Sequence, residues 1–106
     1  MTAEEKKVLE EKIVNVLKNI YDPEIPVNIY DLGLVYEYPV DEEGNVKVMM
    51  TLTAPNCPVA DALPEQVKEE ISFLTGVKDV SVEITFDPPW DQEMISEEGK
   101  LELGLL

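Results

Sequence analysis

Val46-Lys47-Val48-Met49-Met50-Thr51-Leu52-Thr53 sets an apolar residue at every second position, and Ala54-Pro55-Asn56-Cys57-Pro58 breaks the alternation. A period of two marks a strand with one buried face, so this stretch reads as a strand that ends in a turn. The turn holds the single cysteine of the chain. Beyond it, Leu63, Val67, Ile71 and Leu74 recur at helical spacing, with Gly76 placed as the stop. Pro64 is awkward deep inside a helix, so the helix proper is expected to start near Asp61 unless the first turn after Cys57 is irregular.

Working outward, Leu34, Tyr36, Tyr38 and Val40 alternate with Val35, Glu37 and Pro39, which predicts a strand over 34–40. Asp41-Glu42-Glu43-Gly44-Asn45 then reads as a charged hairpin loop. Val80, Val82, Ile84 and Phe86 alternate in the same way and predict a third strand over 80–86. At the start of the chain, Thr2 and Glu5 have the spacing of a capping box. Leu9, Ile13, Val16, Leu17 and Ile20 follow at helical spacing, predicting an amphipathic helix over about residues 3–20.

Pro23 and Pro26 bar that helix from continuing. Residues 21–33 are therefore expected to form a long loop with a short turn at 28–32, the kind of segment that often carries function. Asp87-Pro88-Pro89-Trp90 breaks the last strand, and Asp91 is placed to cap a short helix over 91–96. Trp90 is expected to be a lid on the core. Leu101, Leu103, Leu105 and Leu106 can pack on the domain, on another copy, or on nothing.

One-sided strands and helices in this order predict a two-layer α+β domain. The expected order is α-β-β-α-β plus a short C-terminal helix, with both main helices on one face of a mixed three-stranded sheet. At 106 residues the chain is read as one domain, 1–106, with a core at about 3–90 and a tail at 91–106.

The chain carries 23 acidic and 8 basic residues, a formal net charge of −15. Such a surface repels nucleic-acid phosphates and anionic membranes. It suits solubility, a basic protein partner or a cation. Apolar stretches fall far short of the roughly 20 residues that span a bilayer, and the acidic start of the chain does not read as a signal peptide. The expected location is the cytoplasm, with no nucleic-acid or membrane partner.

The chain has no histidine. A Ser-His-Asp triad, a Cys-His dyad and a His-ligated metal are excluded within it. Soft-metal or thiol chemistry must run through Cys57. If Pro58 opens the following helix, free amides and the helix dipole would favour a Cys57 thiolate; a small cysteine packed under the helix is the alternative. Thr51 and Thr53 share the strand face opposite Met50 and Leu52, so one or both hydroxyls are candidates to lie near the sulfur. Asp22, Glu24 and Asp31 supply the loop's carboxylates. Asp22 before Pro23 and Asp31 before Leu32-Gly33 each also fit a local Asx-type turn. An iron–sulfur cluster is normally held by four thiolates, or by thiolates with imidazole. One chain supplies a single thiol, so stable storage is not expected; transient delivery or docking is.

Three motifs in order go beyond these generalities: Asp22-Pro23-Glu24-Ile25-Pro26 with Asp31-Leu32-Gly33-Leu34, then Thr51-Leu52-Thr53-Ala54-Pro55-Asn56-Cys57-Pro58, then Phe86-Asp87-Pro88-Pro89-Trp90. Together they resemble the metal–sulfur cluster assembly family, which includes the SufT and PaaD-like proteins and the eukaryotic cytosolic iron–sulfur assembly factor. The likeness runs over about residues 5–99. It implies a small α/β domain of the iron–sulfur cluster assembly type and an accessory role in iron–sulfur protein maturation, with no turnover of its own. The family's signature cysteine matches Cys57, its acidic loop matches Asp22, Glu24 and Asp31, and its Thr-x-x-x-Cys pattern matches Thr53 to Cys57. Cys57 is then a functional thiol and transient metal ligand, with Asp22, Glu24, Asp31, Thr51 and Thr53 as a supporting pocket.

The implied cargo is transient iron or an iron–sulfur cluster, none of it stably bound. The implied partners are the assembly machinery or recipient apoproteins, for a monomer or a homodimer. PaaD-like members that serve an oxygenase carry a cysteine-rich tail; the lack of further cysteines here points to the stand-alone form. A pure interaction adaptor with a structural Cys57 is the competing reading. A thiol-dependent enzyme lacks both a resolving cysteine and a histidine base.

Overall fold

A computed structural model describes residues 2–22, 25–53 and 62–105 of the chain. Thr2 caps the first helix, α1 (Ala3–Leu17). Its hydroxyl accepts the Glu5 amide at 3.1 Å, and the Glu5 carboxylate accepts the Thr2 amide at 3.3 Å. The helix is shorter than the 3–20 expected. Asn19 and Ile20 donate to the carbonyls of Val16 and Leu17, three residues back, which tightens the chain into a turn. That turn lets Ile20 accept the Ile29 amide at 2.8 Å while its side chain stays fully buried.

The sheet has three strands in the order β1 (Val35–Glu37), β2 (Asn45–Met50), β3 (Asp79–Ile84). β1 is antiparallel to β2, and β3 is parallel to it. The mixed sheet is as expected, but the strands are shorter than the alternation suggests. β1 loses register between Val35 and Glu37, and beyond Pro39 only an isolated bridge joins Val40 to Val46. Proline has no amide for the ladder; its carbonyl still accepts from Lys47 at 3.1 Å. β2 stops at Met50, before Thr51-Leu52-Thr53, and β3 stops before Thr85 and Phe86.

A parallel partner requires a crossover, and α2 (Ala62–Ser72) lies within it. Pro64 stands in the first turn, where its missing amide would have had no helical partner anyway. Leu9, Ile13 and Leu17 of α1 and Leu63, Val67 and Ile71 of α2 form one core with Val46, Val48 and Met50 of β2 and Val80 of β3. These strand positions share one face of the sheet, so both helices cover that face. On the other face Lys47 and Glu83 pair at 3.7 Å, each about half exposed.

The C-terminal segment differs from the expected single short helix over 91–96. Gln92–Met94 is a 3-10 turn capped by Asp91, whose carboxylate accepts the Glu93 amide at 2.7 Å. A further helix, α3 (Glu97–Glu102), follows, capped by the Ser96 hydroxyl. Ile95 between them enters the core at 5% exposure, and Leu103 packs against it. Leu101 and Leu105 stay exposed.

Candidate functional site

The loop over 21–34 is anchored along most of its length. Val27, Ile29, Leu32 and Leu34 are fully buried. Tyr21 bridges to Asn28, and Asp22 donates its amide to the Val27 carbonyl at 3.4 Å, so the chain doubles back tightly. Asp22 is buried to 8% exposure, and its Oδ1 accepts the Ile25 amide at 3.0 Å. This is the local turn that an aspartate before a proline favours.

Asp31 is placed differently from either sequence reading. Its carboxylate does not bond the amides of Leu32 and Gly33. Oδ2 accepts from Asn28 Nδ2 at 2.8 Å, and Oδ1 accepts from the Ser96 hydroxyl at 2.9 Å. Its own amide donates to Asn28 Oδ1 at 2.8 Å, and its carbonyl accepts the Ser96 amide at 2.7 Å. A carboxylate held this way is a strut between the loop and the C-terminal segment. Trp90 adds a second strut: its indole N–H donates to the Leu32 carbonyl at 2.6 Å, and the ring packs on the core as the expected lid. Tyr36 adds a third by donating its hydroxyl to the Pro88 carbonyl at 2.7 Å.

Gly33 completes the arrangement with φ +79°, a conformation that side chains resist. A Cβ there would also collide with the Met94 carbonyl. Sequence reasoning missed Asn28, Ser96 and Tyr36. The signal for Ser96 was present, since a serine followed by Glu97 and Glu98 is an N-terminal helix pattern.

The loop's far end is clipped to the end of β2. The Thr51 amide donates to the Leu34 carbonyl at 2.8 Å, and the Met50 carbonyl accepts the Thr85 amide at 2.9 Å. Thr51 is fully buried, and its Oγ1 has no hydrogen-bond partner among the described residues. Burying a hydroxyl without a partner costs about 1–3 kcal/mol, and native structures rarely accept that without a reason. Thr53 is half-buried and is the last described residue before 54–61.

Cys57 and Glu24 lie outside the described residues. So does the proposal that Pro58 opens the following helix. The described residues thus tie Thr51 to the Leu34 end of the loop, fold Asp22 into the turn at the loop's start, and hold Asp31 between Asn28 and Ser96. Among the described residues, no three His, Cys, Asp or Glu side chains are grouped to hold a metal ion. None of the described helices is long and apolar enough to cross a membrane.

This fold, with an acidic loop clipped to the strand end that leads to a lone cysteine, defines a class. The chain belongs to the family of iron–sulfur cluster assembly proteins, whose model matches residues 10–84. It is 55% identical over 97 residues to a Porphyromonas gingivalis protein named Fe-S protein maturation auxiliary factor, covering 92% of each chain. It is 39% identical to the Bacillus subtilis Fe-S protein maturation auxiliary factor YitW, covering 93% of this chain and 97% of that one. The crystal structure of a domain of unknown function, DUF59, from Bacillus anthracis matches with a TM-score of 0.89 and 34% identity, over 99% of this chain and all of the other.

Proposed function

We propose that this chain is an accessory factor in iron–sulfur protein maturation, with Cys57 as a transient ligand or exchange thiol. Iron or a preformed cluster is its cargo, taken from the assembly machinery and passed to recipient apoproteins. It turns over no substrate of its own and works in the cytoplasm, as a monomer or a homodimer.

The observation that carries this reading is the buried Thr51 hydroxyl, without a partner among the described residues, at the strand end that leads to the Cys57 segment. A fold that tolerates a costly polar group there keeps it for something other than stability. The names of the relatives supply the pathway. With one thiol per chain, a cluster needs ligands from a second chain or from the partner, which suits carriage rather than storage. Asp22, Glu24, Thr51 and Thr53 remain the proposed pocket. Asp31 serves it by holding the loop.

The adaptor reading, with a structural Cys57, draws support from Asp31, a motif carboxylate that proves to be a strut. Anaerobic reconstitution with iron and sulfide, followed by absorbance, separates the two. Wild type should acquire a chromophore that Cys57→Ala lacks, and about half a cluster per chain would mark a site bridging two chains. Equal spectra from both proteins would support the adaptor.

A further inference from the structure

β3 is the outer strand of the sheet, and no strand pairs with its outer edge among the described residues. Thr85 donates inward to the Met50 carbonyl, so residues 81, 83 and 85 turn their backbone groups toward β2. The N–H and C=O of one strand residue point to the same side, so Val80, Val82 and Ile84 turn theirs outward. The Val80 amide is covered by its neighbour's carboxylate, with Asp79 Oδ1 at 2.9 Å. The amides of Val82 and Ile84 have no partner among the described residues. An uncovered edge of this length is a template for pairing with another chain.

The side chains along the edge show the same incompleteness. Val48 and Met50 of the central strand are fully buried, whereas Val82 and Ile84 of the outer strand are only partly buried. Alongside, an open groove of about 360 Å³ runs between α2 and the start of β3, where Glu65, Glu69 and Asp79 stand among Lys68 and Lys78. On the opposite face of the strand stand Asp79 and Glu83, both exposed; Glu83 shares a half-exposed ion pair with Lys47, and Asp79 has no basic side chain bonded to it among the described residues. Lys78, beside them, is already paired with Glu43 at 3.3 Å.

Charge selects the occupant. A second copy of β3 has no basic residue between Asp79 and Ile84. It therefore offers these carboxylates no counter-charge, and it adds another net charge of −15.

We propose that the β3 edge docks an extended segment of a partner protein as a fourth strand. That segment alternates Lys or Arg, set against Asp79 and Glu83, with Val, Ile or Leu laid beside Val82 and Ile84. Main-chain bonds to Val82 and Ile84 supply the pairing, and the alternation supplies the selectivity. The surface is independent of the Cys57 chemistry.

The test is an NMR titration of the full-length, isotope-labelled protein with a synthetic peptide alternating Lys and Val over the length of β3. Shift changes and slowed exchange should centre on the Val82 and Ile84 amides and weaken with salt. A Glu/Val peptide should bind at least about tenfold more weakly, and a Lys/Val peptide with a central proline should not protect these amides. The exposed double variant Asp79→Lys/Glu83→Lys should reverse the preference between the two peptides. Shifts spread over the acidic surface without protection of Val82 and Ile84 would overturn the proposal. So would protection of both amides before any peptide is added, together with a dimer in sedimentation, which would make the occupant a second copy.

Discussion

The Ser96 hydroxyl donates a 2.9 Å hydrogen bond to Asp31 Oδ1 across 65 positions of sequence, while the Ser96 amide meets the Asp31 carbonyl at 2.7 Å. This pair ties the start of α3 to the loop that carries Asp22 and Glu24. Ser96→Ala removes a helix cap and a charge-assisted bond together, and should cost about 1–3 kcal/mol. Asp31→Ala should cost a similar amount. In a double-mutant cycle by urea unfolding the two should couple by about 0.5–3 kcal/mol. Additive losses would show that Asp31 does not act through Ser96.

Thr51→Val tests the unpartnered hydroxyl. Valine keeps the shape and removes the buried polar atom. The variant should be more stable than wild type by about 1 kcal/mol and yet less able to support recipient enzymes. Thermal unfolding checks the first expectation, and recipient activity in a deletion strain checks the second.

Gly33→Ala forces a side chain into φ +79° and into the Met94 carbonyl. The loop and the 3-10 turn cannot both keep their places. Unfolding free energy should fall by more than the roughly 1 kcal/mol of an unstrained glycine substitution, and circular dichroism of Trp90 should change with it.

Asp41 organises the β1–β2 hairpin loop. Its carboxylate accepts the Asn45 side chain at 2.9 Å and the amides of Asn45 and Glu43 at 2.9 and 2.8 Å. The Asn45 side chain is the largest of the causes that hold its pKa below the ordinary 3.8. A depressed carboxylate contributes stability above its unfolded pKa and loses it as pH falls through the folded one. An NMR titration should therefore place the Asp41 midpoint below 3.8, and Asn45→Ala should move it upward.

The sequence revealed what is local and periodic. Leu9, Ile13 and Leu17 and then Leu63, Val67 and Ile71 every fourth residue, and Val46, Val48 and Met50 every second, marked both helices and the central strand because burial repeats at those periods. α3 was missed because six residues with Gly99 inside them carry almost no period, although Ser96 before Glu97 and Glu98 marked its start. β1 was overestimated because alternation cannot show a lost register or the missing amide of Pro39. Asp31 was expected to bond the amides that follow it, and instead it joins Asn28 to Ser96. Ser96 lies at the other end of the chain, and local rules supply only local partners. The orphaned state of Thr51 was equally unreadable, since a missing bond becomes visible only when all neighbours are in position.

The most direct test of the account concerns Cys57 in the cell. A strain lacking the gene should be complemented with wild type or with Cys57→Ser shown by thermal unfolding to be folded, and the activity and cluster occupancy of recipient enzymes measured under iron limitation. The account predicts that wild type restores both and that folded Cys57→Ser restores neither. Full restoration by the folded Cys57→Ser protein would contradict it and leave the cysteine a structural residue of an adaptor.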